Sequence, residues 1–95
     1  MRRQAIDIDA DILRTIKRCG PRTGITAIVY GANLNFIIVR KYLKRLIDRG
    51  LIISEEMLGS GRVLYTNTEK APEFLGVYED LGVYLAPQAI QGVNQ

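Results

Sequence analysis

Apolar residues recur every three or four positions through the first half of this chain and at every second position after Gly50. In "IDIDADILRTIKRCG", Ile8, Ile12, Leu13 and Ile16 fall on one helical stripe, an aspartate precedes it, cations fill its last turn, and Gly20 with Pro21 ends it. In "RTGITAIVYGANLN" a second, short helix is expected, with Thr26 as N-cap, Ile25 and Tyr30 as a hydrophobic staple, and Gly31 with Asn33 closing it. Asn35 then caps a third helix from Phe36 to about Arg49, which Gly50 stops. Beyond it, "LIISEEM" and "RVLYTNT" alternate as strands around "LGSG", the signature of a hairpin with glycine at the strained positions. A last helix is expected from about Thr68 to Leu85, with Phe74, Leu75, Tyr78, Leu81 and Leu85 on one stripe; Pro72 sits in the first turn of a helix capped by Thr68 or begins a later one.

This order predicts an α+β fold, mainly α: three helices, a two-stranded wing and a C-terminal helix, the arrangement of a winged helix-turn-helix. Ninety-five residues suffice for one core and not for two. Residues 1–85 are therefore read as one domain and 86–95, which have no periodicity, as a flexible tail.

Charge is segregated along the chain. Residues 12–49 carry nine Lys and Arg against one Asp, a net of +8, whereas residues 50–95 carry two cations against six carboxylates, a net of −4. A basic block of this kind is the electrostatic footprint expected of a nucleic-acid-binding surface, although a solvated helix face has the same composition.

Other chemistries find little support. No apolar run approaches the roughly 18 to 20 residues that span a bilayer, and "MRRQAIDIDAD" has no signal-peptide centre, so the expected location is cytoplasmic. The single cysteine, Cys19, has no internal partner, and a chain without histidine offers no Cys/His zinc site. "DIDAD" imitates the start of a calcium loop, but Ile12 and Arg18 stand where that loop needs glycine and glutamate. "GSG" lacks the Lys-Ser/Thr pair and helix of a phosphate loop. No nucleophile with an adjacent base can be assembled, so neither an enzyme nor a metal or other cofactor is expected.

Residue by residue, "TAIVYGANLN", "YLKRLIDRGLI" and "YTNTEKAPEFL" resemble a family of small archaeal winged-helix DNA-binding proteins. The positions that carry the resemblance are Thr26, Asn33, Leu34, Asn35, Tyr42, Leu43, Leu46, Gly50, Leu51, Ile52, Tyr65, Thr68, Glu69, Lys70, Phe74 and Leu75, and it extends over residues 6 to 85. It implies DNA binding in transcription or chromatin, and a homodimer formed through the C-terminal helix. Here Ala71 replaces the family's glycine and the last helix is short, which argues against an extended coiled coil.

At 100° per residue, with Val39, Leu43 and Leu46 inward, Ile37, Lys41, Lys44 and Asp48 point outward, Ile38, Arg40 and Arg45 flank them, and Phe36 turns inward. The expected DNA-binding set is Arg22, Thr26, Asn35, Ile37, Ile38, Lys41, Lys44, Arg45 and Arg62. In it, the isoleucines pack on thymine methyl groups, Lys41, Lys44 and Arg45 contact phosphates, and Thr26 with the first amides of helix two binds a further one. Arg22 and Arg62 would reach DNA from the preceding loop and the wing, where Glu55 and Glu56 oppose them. Phe74, Tyr78, Leu81 and Leu85 form the expected dimer interface; the same stripe could instead pack back on helix one. The competing reading is a protein-interaction module in which Ile37, Ile38, Met57 and Leu58 dock a partner protein.

Overall fold

The element order in the computed structural model, which describes residues 3–85, is α1 (Ala5–Cys19), β1 (Thr23–Gly24), α2 (Ile25–Ala32), α3 (Phe36–Asp48), β2 (Ile52–Glu56), β3 (Val63–Asn67) and α4 (Lys70–Leu85). Residues 86–95, including the expected tail, lie outside the described residues. The wing is part of a three-stranded antiparallel sheet of order β1-β3-β2 and not a free two-stranded hairpin. Thr23 and Gly24 pair with Tyr65 and Leu64. Two residues have no periodicity to betray a strand, so only the pairing partner defines β1.

Ile12, Leu13 and Ile16 of α1, Ile28, Val29 and Ala32 of α2, and Val39, Leu43 and Leu46 of α3 meet in one core, closed by Ile52, Ala71 and Leu75. Both helices of the helix-turn-helix end in the same way. At the end of α3, Gly50 at φ 77° lets its own N–H and that of Leu51 donate to Ile47 and Leu46 carbonyls. At the end of α2, Asn33 at φ 57° does the same with Tyr30 and Val29. Two left-handed caps therefore fix where α2 stops and the wing begins.

Three details of α2 differ from expectation. Its N-cap is Gly24, and Thr26 is the second helical residue with no capping bond, because pairing with β3 holds Thr23 and Gly24 extended and the helix begins at once. Tyr30 is 78% exposed and staples nothing; the buried stripe is Ile28, Val29 and Ala32, and Tyr30 lies off it. Gly31 does not terminate the helix. It lies inside it, where a Cβ would stand 2.4 Å from Thr15 Cγ2, so its role is to let α2 approach α1 closely.

Gly59 and Gly61 take positive φ in the wing loop, as expected. Thr68 stands just before the last helix, which starts at Lys70: its hydroxyl accepts from the Lys70 N–H and donates to the Gly50 carbonyl at 2.6 Å, tying α4 to the end of α3. Along α4, Phe74 and Tyr78 stack at 6.3 Å and turn toward the core. The Tyr78 hydroxyl donates to Asp7, and Arg14 sits over its ring while pairing with Glu79 at 3.2 Å. Half of the expected dimer stripe is thus turned toward the core, with Tyr78 held by α1.

The Tyr78 bond, helped by the Gln4 N–H, holds the Asp7 carboxyl below the usual range. A carboxylate depressed in the folded state contributes stability that is complete above its ordinary value and lost as pH falls through the lowered one. Thermal melts should therefore show the gap between wild type and Tyr78→Phe closing below about pH 4. A gap that stays constant down to full protonation would mean that Asp7 does not anchor α4.

Candidate nucleic-acid interface

The outward face of α3 follows from its inward one. Val39, Leu43 and Leu46 are fully buried, so residues rotated away from them face solvent: Ile37 is 77% exposed, and Lys41, Lys44 and Asp48 are exposed. Asn35 starts the helix by accepting the Ile38 N–H at 2.8 Å, which stands its first turn, bearing Ile37, at the protein's edge. Ile38 is half-buried. Phe36 does not reach the core: it is partly exposed, with the Arg40 guanidinium 5.6 Å above its ring. An aromatic at the first helical position lies beyond the core's end, so Arg40 covers it in place of apolar neighbours.

Arg45 is placed differently from the other cations. Its Nε and Nη2 donate to Asp9 Oδ2 at 3.3 and 3.1 Å, and its guanidinium lies 5.8 Å from the Tyr42 ring. Asp9 is 1% exposed, and its other oxygen has no partner among the described residues. Burial pushes the Asp9 carboxyl up, while the Arg45 hydrogen bond and the charges of Arg45 and Arg49 oppose this. Arg45 is therefore tied to α1, whereas a phosphate contact was expected of it. The wheel gave its flank position correctly, but only the packing of α1 supplied a carboxylate there.

The start of α2 and the wing enclose a groove of about 470 Å³ lined by Gly24, Ile25, Thr26, Ala27, Arg62 and Val63. The pairing of β1 with β3 brings these elements together, and the Arg62 guanidinium lies 3.4 Å from where a Gly24 Cβ would stand. Arg62 makes no ion pair among the described residues, and α2 starts at Gly24 without a side-chain cap. Arg22 pairs with Glu55 of β2 at 3.1 Å, both exposed, so the opposing wing charge falls on Arg22 more than on Arg62.

Sequence reasoning missed two exposed groups in this region. Tyr30 could have been found, because Ile25, Ile28, Val29 and Ala32 already complete a stripe at i, i+3, i+4 and i+7. The Phe36 and Arg40 stack has the i,i+4 spacing of a helical pair and was equally legible. On α4, Leu81 and Val77 are exposed, and Leu85 closes the helix with a side chain outside the described residues. Among the described residues no helix is long and apolar enough to cross a membrane, and no group of three or more His, Cys, Asp or Glu could hold a metal ion.

The sequence matches the winged helix-turn-helix family over residues 2–83, nearly all of the described chain. This protein belongs to that family. Among solved structures, the winged helix-turn-helix chain is similar to Sso10a-2, a DNA-binding protein from Sulfolobus solfataricus, with 28% identity over 98% of each chain and a TM-score of 0.76. The resemblance to small archaeal winged-helix proteins therefore holds over the full length of both. It also shares its fold with BpsR of Bordetella bronchiseptica, whose DNA binding is regulated by 6-hydroxynicotinic acid, at 20% identity and a TM-score of 0.69. That match covers 90% of this chain and 61% of BpsR. ZitR, a zinc-responsive MarR family member of Lactococcus lactis, matches at 22% identity and a TM-score of 0.62 over 93% of this chain and 68% of its own. A comparison with curated proteins returns no match. The winged helix-turn-helix fold of this chain is thus one that several DNA-binding regulators use.

Proposed function

We propose that this winged-helix domain binds double-stranded DNA as a transcriptional regulator or chromatin-associated factor, with α3 in the major groove. The observation that carries the reading is the outward face of α3, where an exposed Ile37 stands at the N-terminal end and Lys41 and Lys44 follow on the same side. In a helix-turn-helix that end meets base edges, and an isoleucine there discriminates by packing on a thymine methyl. The lysines neutralise flanking phosphates. Thr26 and the first amides of α2 bind one phosphate with Arg62 across the groove, as helix N-termini do. Arg22 reaches DNA once it leaves Glu55, and Asn35 and Ile38 complete the first turn of the reader.

The protein acts as a homodimer, in which a second copy covers Val77 and Leu81 and aligns two readers on a two-fold site. A light-scattering mass of one chain at micromolar concentration would refute this part.

Fluorescence anisotropy with random duplex and with the chain's own upstream region, over a salt series, tests the whole. Binding with a slope of log K against log salt of about −4 to −6 is expected, from roughly five or six neutralised phosphates. Ile37→Ala should leave that slope unchanged and lower the preference between sequences about threefold to tenfold, the worth of one apolar base contact. No binding at low salt would favour the other reading, in which exposed Ile37, Met57 and Leu58 dock a protein.

A further inference from the structure

We propose that Asp9 is an internal counter-ion that withholds Arg45 from the phosphate backbone and so limits the sequence-independent part of DNA affinity. The inference rests on the DNA-binding reading and deepens it by assigning a positioning role to a residue of α1 that itself touches no DNA.

The geometry is unusual in three respects. Asp9 is buried, yet only Oδ2 is used, by both Nε and Nη2 of one guanidinium, and Oδ1 is left without a partner among the described residues. A buried ion pair so incompletely satisfied is a poor source of stability, because apolar side chains of similar volume fill such a site at least as well. What the carboxylate does accomplish is to fix the direction of Arg45. That residue stands one turn beyond Lys41 in the same i,i+4 row and next to Lys44, so a released guanidinium would join the cationic face. About a third of its side chain is still in contact with solvent, so the guanidinium already lies at the protein's edge.

A phosphate contact strengthens binding to every sequence alike, whereas the base-edge contacts at Ile37 do not. Holding Arg45 back therefore keeps the protein from lingering on arbitrary duplex, and the α1 carboxylate sets how much of the basic block is offered to DNA.

The test compares wild type, Asp9→Leu and Asp9→Leu/Arg45→Met on random duplex over a salt series, with far-UV circular dichroism and melting curves to establish that each is folded. Asp9→Leu should bind random duplex several-fold more tightly at about 0.1 M salt, with a slope steeper by about 0.9, one added phosphate. The double variant should return to the wild-type slope. A folded Asp9→Leu with the wild-type slope overturns the proposal. So does a double variant shallower than wild type by about 0.9, since Arg45 would then already lie on phosphate. Should Asp9→Leu fail to fold, Asp9→Asn takes its place, and the double variant decides independently. Absence of wild-type binding at low salt would sink the DNA reading and this inference together, an outcome distinct from unaltered slopes in a protein that binds.

Discussion

Replacing Lys41 and Lys44 together by alanine is expected to weaken binding to random duplex roughly fifty-fold at about 0.1 M salt and to make the salt slope shallower by about 1.8, the loss of two phosphates. Both side chains are exposed on α3 and make no ion pair among the described residues, so folding stability should move by no more than about 0.5 kcal/mol. The contrast with Arg45 gives the experiment its resolving power: cations on the same helix that differ in whether a carboxylate holds them should differ in salt slope. Anisotropy at four salt concentrations suffices. A double variant that binds with the wild-type slope would show that these lysines do not meet the backbone, and the placement of α3 in the major groove would fall.

Gly31→Ala is expected to destabilise the domain by about 1 to 3 kcal/mol, the usual cost of overpacking. The sign is opposite to that of a free helical position, where alanine gains roughly 0.5 to 1 kcal/mol over glycine. The overlap decides it. The new methyl would stand 2.4 Å from Thr15 Cγ2 and 3.2 Å from Thr15 Oγ1. Thr15 is buried, stiff at χ1, and bound through its hydroxyl to the Asp11 carbonyl at 2.8 Å, so it has nowhere to go. Arg18 Nη2, also within 3.2 Å, is the end of a flexible side chain and gives way cheaply. For a domain of this size the melting temperature should fall by roughly 4 to 24 °C. Thr15→Ala removes both obstructing atoms, so Gly31→Ala made in that background should cost little or nothing, and the coupling between the two sites isolates the contact. Additive losses would mean that the two helices do not cross at this point.

The three aspartates of "DIDAD" show where sequence reading stopped. As a motif they resemble a calcium loop, and the pattern of their neighbours rejects it. Their use is tertiary: Asp7 binds Tyr78 of α4, Asp9 binds Arg45 of α3, and Asp11 binds Arg3, whose guanidinium also caps the Ala32 and Asn33 carbonyls at the end of α2. On the helix, Asp7 and Asp11, four apart, share one face of α1, and Asp9 lies on the other, toward α3. Nothing in the local sequence pairs position 9 with position 45.

The amino-acid sequence dictates the helices and the wing through local signals. Their apolar periods, the Asn33 and Gly50 stops, the Asn35 cap and the glycines of the wing loop act within a few residues, and these signals hold wherever the segment ends up. It also determined that Ile37, Lys41 and Lys44 face away from the core, because a helix with one apolar stripe can bury only that stripe. Tertiary structure alone decided what depends on partners remote in the chain. Pairing with β3 made a strand of Thr23 and Gly24 and moved the start of α2 away from Thr26. Contact with Thr15 turned Gly31 from a stop signal into a crossing point. A buried carboxylate on α1 drew Arg45 inward, and α1 likewise drew Tyr78 away from the exposed side of α4. Short-range physics fixes an element and its faces, but which polar groups remain free for a ligand depends on the neighbours that folding brings to them.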